Sequence, residues 1–304
     1  MKKWRSGISV VIPTYNRSQL LNLTLNSLVR QTLNNDLFEV IVVDDGSSDN
    51  TSEIVQSFAN RLKIKYLFQE DLGFRVARAR NLGIACASFE HILFIDSGVL
   101  VAPNCLQSHL RNFEICEVDV QIGLCYGFEE HKISDVAQCK QRLGEPDIFS
   151  DSEFLAQYKD CRDAFLAKQH YSLKQTREPW LIFWTCHASC KTAALYAIDG
   201  FDETFTSWGG EDVELALRLQ NLGYKFAINA SAQAIHYPHH KDQNAIKRSA
   251  KTNIEYIHNK HCTVATLLLK QGLCWKDILA SHTQPITYNP TSLLQNPLDT
   301  LQAQ

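Results

Sequence analysis

The sequence has no Cys-x-x-Cys pair, no apolar run near the ~20 residues a membrane span needs, and no excess of basic residues. Nor does a Gly-x-Gly-x-x-Gly follow its first apolar run. Each absence excludes a class. Without the glycine fingerprint, a nicotinamide dinucleotide enzyme is disfavoured. A nucleotidyltransferase would want a glycine-rich, lysine-bearing phosphate loop near the first strand, and Pro13-Thr14-Tyr15-Asn16-Arg17 is not one. The formal net charge is −3, which argues against nucleic acid as a partner. The small cluster Lys247-Arg248 with Lys251 reads as a solvated helix face. Met1-Lys2-Lys3-Trp4-Arg5 is charged, but no signal-type apolar segment follows. With no transmembrane segment, the expected location is the cytoplasm, with peripheral membrane contact left open. Ten cysteines are present. Cys186 and Cys190 lie four apart, but nearby His187 and Cys125 complete no known zinc spacing. The thiols are expected to be free and buried, as in Ile84-Ala85-Cys86-Ala87, which fits a reducing compartment.

What is present is an alternation. Of 304 residues, 45% are hydrophobic, enough for a sizeable core. Ile8–Ile12 and Glu39–Val43 are short apolar runs that end at turn residues and read as buried strands, and Ile64–Phe68 and His91–Ile95 read as a third and a fourth strand. Between them lie helical patterns over 18–33, 51–60 and 76–88. Ser48 or Asp49 is the expected cap of the second. This rhythm predicts an α/β fold with a mostly parallel, Rossmann-like central sheet flanked by helices. Ligands in such sheets collect at the carboxyl ends of the strands, where the polar clusters 13–17, 44–49 and 96–98 fall. Residues 126–178 turn charged and helical and read as an insertion. Further helices are expected over 211–222 and 244–261, with extended chain over 224–235. The tail after Tyr288 carries Pro290 and Pro297 and is expected to be mobile.

In this order, the motifs resemble a family 2 glycosyltransferase with a GT-A fold. They are Val10-Val11-Ile12-Pro13-Thr14-Tyr15-Asn16-Arg17, Val43-Asp44-Asp45-Gly46-Ser47-Ser48-Asp49, Gly73-Phe74-Arg75, Ala79-Arg80-Asn81 and Ile95-Asp96-Ser97-Gly98. Gly200-Phe201-Asp202-Glu203 and Trp208-Gly209-Gly210-Glu211-Asp212 resemble the acceptor half of galactosyl- and N-acetylgalactosaminyltransferases and of chondroitin-type polymerases. The resemblance spans about residues 8 to 240. It implies a nucleotide-sugar-binding half over 1–125, an acceptor half over 126–240 and a C-terminal helical extension and tail over 241–304.

The resemblance also implies roles. Pro13, Thr14, Tyr15, Arg17, Asp44, Asp45, Arg75, Arg80, Asp96 and Ser97 would bind a UDP-sugar. Tyr15 would stack on the base, and Asp44 would accept hydrogen bonds from base or ribose. Asp96 would reach Mn²⁺ or Mg²⁺ bound to the diphosphate, with His236 as a second ligand. The family usually has a second carboxylate two residues after this aspartate, where Gly98 stands. Trp208, Gly209, Gly210 and Glu211 would hold the acceptor, which is a carbohydrate, glycolipid, peptide or small metabolite. Asp212 would be the general base of an inverting transfer, kept ionised by a helix N-terminus, with Glu211 beside it. Plainer readings stay open: Asp96 and Asp212 as caps, Asp44–Asp49 as a turn, Arg78 as a solvated residue. So does a degenerate GT-A domain that binds a nucleotide sugar without transferring it.

Overall fold

The computed structural model describes residues 3–281. The expectations for the tail beyond Tyr288 lie outside them. The chain begins as β1 (Arg5–Thr14), α1 (Ser18–Val29), β2 (Phe38–Asp44), α2 (Thr51–Ser57), β3 (Ile64–Phe68), α3 (Val76–Cys86) and β4 (Phe89–Ile95). It continues through β5 (Val99–Val101), α4 (Cys105–Ile115) and β6 (Val120–Gly127) into three short helices, α5 (Val136–Leu143), α6 (Ser152–Ala156) and α7 (Asp163–Lys168). Then come β7 (His187–Lys191), α8 (Thr192–Ala197), α9 (Glu211–Asn221), β8 (Phe226–His236), α10 (Gln243–His261), α11 (Val264–Lys270) and α12 (Trp275–Ser281).

One eight-stranded sheet runs in the order β3-β2-β1-β4-β7-β6-β8-β5. The pairs β3–β2, β2–β1 and β1–β4 are parallel. Beyond β4 the sheet is mixed: β4–β7, β7–β6 and β8–β5 are antiparallel, whereas β6–β8 is parallel. The apolar runs of β1, β2 and β4 are covered on both faces, whereas the edge strand β3 is only half-buried. Val11, Ile41, Val43, Ile92 and Phe94 pack on one side with α3 and α9 residues. Ile8, Val10, Ile12, Val40, Val42 and Leu93 pack on the other, against Leu21, Leu25 and Leu28 of α1.

Some local expectations change. Neither Ser48 nor Asp49 takes the N-cap position of α2; Asn50 does, without a side-chain bond. Asp49 instead accepts the Ser18 and Thr51 N–H groups at 3.0 and 3.1 Å and so ties the loop to α1. The described cysteines are free, as expected, but only Cys105, Cys125, Cys139 and Cys190 are buried. Cys86, the last residue of α3, is exposed.

Candidate active site

The carboxyl ends of β1, β2 and β4 open into a cleft of about 1540 Å³. Pro13, Thr14, Tyr15, Arg17, Asp45, Asp96 and Ser97 line it from the donor side. The loops are cross-tied. Asp45 N–H donates to Thr14 O at 2.8 Å, Ser97 Oγ to Pro13 O at 3.1 Å, and Ser48 N–H to Asn16 Oδ1 at 2.8 Å. Tyr15 is 45% exposed, and its hydroxyl donates to Asp71 at 2.8 Å, so its ring is held at the mouth.

The paired aspartates divide. Asp44 is the last residue of β2 and points inward, where its carboxylate accepts Ser47 N–H and Tyr66 O–H, each at 2.7 Å. It does not line the cleft; Asp45 does, because successive side chains alternate sides. Burial, outweighing the Gln69 side chain and the Arg75 N–H that donate to it, raises the Asp45 carboxyl. Arg75 therefore acts through its backbone, at 2.8 Å from Asp45, while its guanidinium donates to Phe74 O. Its side chain does not line the cleft. Arg78 is exposed, as expected.

At the centre, buried Arg80 joins the two sides. One terminal nitrogen donates to Glu211 at 2.8 Å and the other to Asp96 at 3.1 Å. Burial alone would favour the neutral guanidine, but Asp96 and Glu211 outweigh it and hold Arg80 charged. Gly98 has φ +98°, a backbone conformation that disfavours a side chain, and this is the local reason no second carboxylate stands there. Gly209 and Gly210 likewise have φ +88° and +99° and turn the chain into α9, whose first two residues are Glu211 and Asp212. Asn253 of α10 donates to the carbonyls of Ser207, Trp208 and Gly209, and Ser249 to Trp208 O at 2.7 Å. The C-terminal extension thus fixes the glycine turn, and Trp208 stands 48% exposed at the cleft.

Asp212 accepts Thr185 N–H at 3.4 Å and Val213 N–H at 2.8 Å. The helix terminus was expected to keep it ionised. Instead burial, and then the charge of Glu211, push its carboxyl up to about 7. Three buried polar atoms of cleft-lining residues have no hydrogen-bond partner among the described residues: Thr14 Oγ1, Arg80 Nε and Glu211 Oε2.

His236 ends β8 opposite Val99, and Tyr237 N–H donates to Gly98 O at 2.8 Å, which brings His236 to the Asp96–Gly98 turn. Burial, then Lys241 and His239, depress the imidazole to about 4, so it is neutral near pH 7. A carboxylate and a neutral imidazole suit a borderline divalent cation, but they are only two ligands. Lys241 Nζ stands 3.3 Å from His236 Nε2, on the lone pair such a cation would use. The pair therefore fits an ion that brings further ligands with it. Asp71, Trp184 and Lys241 were not singled out in the sequence. Asp71 sits in a turn before Gly73, and the other two reach the cleft only through tertiary packing.

Two family models match the chain: glycosyl transferase family 2 over residues 9–150 and the N-terminal domain of galactosyltransferase over 168–242. Validoxylamine A glucosyltransferase of Streptomyces hygroscopicus subsp. jinggangensis is 40% identical over 265 residues, covering 84% of this chain and 61% of the relative. Chondroitin synthase of Escherichia coli is 32% identical over 258 residues, 82% of this chain and 37% of the synthase. The chain thus spans less than two thirds of these relatives' lengths. Among solved structures, S. aureus TarS 1–349 in complex with UDP-GlcNAc superposes with TM-score 0.61 at 18% identity, covering 87% and 71% of the two chains. The mannosyltransferase PcManGT of Pyrobaculum calidifontis, in complex with GDP-Man and Mn²⁺, gives 0.56 at 17% identity, with 92% and 69% covered.

Proposed function

We propose that this chain, which matches the glycosyl transferase family 2 model over residues 9–150 and has the GT-A fold, is an inverting glycosyltransferase of that family. It moves a hexosyl or N-acetylhexosaminyl group from a UDP-sugar to an acceptor nucleophile, with Asp212 as general base. The observation that carries this reading is the Asp96–Arg80–Glu211 chain of ion pairs, which fixes the donor turn against the turn that bears Asp212.

Tyr15 and Thr14 face the nucleotide, with Asp45 as the aspartate of the pair that meets it. Asp44 and Arg75 shape the loops rather than touch the ligand. Trp208 offers an indole face to the acceptor sugar. Glu211 Oε2 accepts an acceptor hydroxyl and orients it. Asp212 takes the proton from the attacking oxygen or nitrogen while the bond to the anomeric carbon forms and the bond to the diphosphate breaks. A base poised near pH 7 is well matched to this task. Asp96 and His236 would hold Mn²⁺ or Mg²⁺, which supplies Lewis-acid stabilisation of the leaving diphosphate.

A second reading is a GT-A domain that binds nucleotide sugar without transfer. Gly98 and the Lys241 ammonium beside His236 favour it. A panel of UDP-sugars, assayed for UDP release with and without Mn²⁺, separates the two. Turnover of a donor is expected. UDP binding without turnover of any donor, with or without acceptor sugars, supports the binding module instead. EDTA without effect removes the metal assignment alone.

Among the described residues no helix is long and apolar enough to cross a membrane.

A further inference from the structure

We propose that Cys105, His109 and His187 form a second, buried metal site, built for a thiophilic cation of the zinc class and placed behind the cleft floor. Cys105 and His109 lie four residues apart on α4 and so share one face of it, and His187 opens β7. All three are 0% exposed, and their ligand atoms lie within 4.8 Å of one another. None of the three lines the cleft, so the site is distinct from Asp96 and His236.

The distances fit. His109 Nε2 and His187 Nε2 are 3.1 Å apart, and Cys105 Sγ is 3.3 Å from His187 Nε2. Nitrogen at ~2.0–2.1 Å and sulfur at ~2.3 Å from a tetrahedral zinc stand roughly 3.3–3.6 Å from each other. Small adjustments would centre an ion. The outer nitrogens are anchored as metal-bound histidines usually are: His187 Nδ1 to Leu124 O and His109 Nδ1 to Ser189 Oγ, each at 2.9 Å. A Cβ at Gly123 would come within 2.3 Å of the His187 ring, so glycine there lets the imidazole reach its place.

A hydrogen-bonded chain can satisfy both imidazoles, with Ser189 O–H donating to His109 Nδ1, His109 Nε2–H to His187 Nε2 and His187 Nδ1–H to Leu124 O, but it leaves the weakly donating Cys105 thiol without a lone pair of its own. Leu124 O accepts only, so His187 Nδ1 carries the proton and Nε2 presents one lone pair. His109 N–H and Cys105 S–H would then compete for that single lone pair. In the other tautomer of His109, two lone pairs face each other at 3.1 Å. A cation serves all three groups at once. Cys105 gives up its thiol proton to solvent as the cation binds. The site joins α4 to the strand that follows Thr185, whose N–H donates to Asp212. Its three protein ligands leave the fourth tetrahedral position to a water, and the site holds the floor on which the base rests.

The full chain, expressed without a histidine tag and dialysed against EDTA, should retain roughly one zinc per chain by mass spectrometry. Unfolded with chelator and refolded with Co²⁺, it should show a thiolate-to-cobalt charge-transfer band, absent in Cys105→Ser. Zinc below about a tenth per chain, together with no such band in the refolded wild type, overturns the site. So does a Cys105→Ser variant that keeps the full band or its zinc. Because the wild-type readouts decide the first case, a variant that fails to fold leaves the test intact. Mn²⁺ binding with UDP reports on the cleft separately.

Discussion

Replacing Asp212 by Asn removes the proposed base and should also stabilise the fold. The carboxyl rises from its ordinary 3.8 to about 7 in the folded chain, chiefly through burial and then through Glu211. The folded state therefore binds more protons than the unfolded state between about pH 4 and pH 7, and stability falls as pH rises through that window. At ~1.36 kcal/mol per pH unit, the ionised carboxylate costs about 4 kcal/mol above pH 7, an upper value because Glu211 and Arg80 share the response. Asparagine keeps the shape and carries no charge. Thermal melts at pH 8 should show Asp212→Asn higher than wild type by roughly 5 °C or more, and the gap should close toward pH 4. A variant equally or less stable than wild type at pH 8 would refute the reasoning, because Asp212 would then be an ordinary ionised cap. Natural sites commonly hold such a group at the expense of stability.

Arg80→Met should destabilise by about 3–5 kcal/mol in urea unfolding, since it leaves buried Glu211 without its cation and frees Asp96. Mn²⁺ should bind the free protein weakly and much more tightly with UDP, as titration calorimetry would show; equal affinity in both would contradict a two-ligand protein site. Tyr15→Ala should weaken UDP binding by about 1–3 kcal/mol of lost stacking with little change in melting temperature, because the ring is half exposed.

β1, β2 and β4 were legible because each is a largely apolar run covered on both faces, and β3, a half-buried edge strand, by its short apolar pattern between turn residues. β5, β6 and β7 were not. Val99–Val101 is only a three-residue edge strand. The other two carry Gln121, His187 and Ser189, which are buried only because tertiary partners receive them, such as Asn229 for Gln121 at 2.9 Å. The site followed the same rule. Asp96, Arg80, Glu211, Asp212 and His236 could be found by motif and do reach one cleft. Which of Asp44 and Asp45 faces it depends on strand alternation at the end of β2, and the charge state of Asp212 depends on burial that no local pattern states. Cys105, His109 and His187 meet only because α4 packs against the middle of the sheet.

The most direct test of Asp212 as base is UDP release at saturating donor and acceptor by wild type, Asp212→Asn and Glu211→Gln, with UDP affinity measured alongside. Asp212→Asn should lose about 10²–10⁴-fold in turnover at unchanged UDP affinity, and the wild-type rate should fall below about pH 7. Glu211→Gln should act mainly on the acceptor KM. Undiminished UDP release by Asp212→Asn, with no acid limb in the wild-type profile, would contradict the assignment.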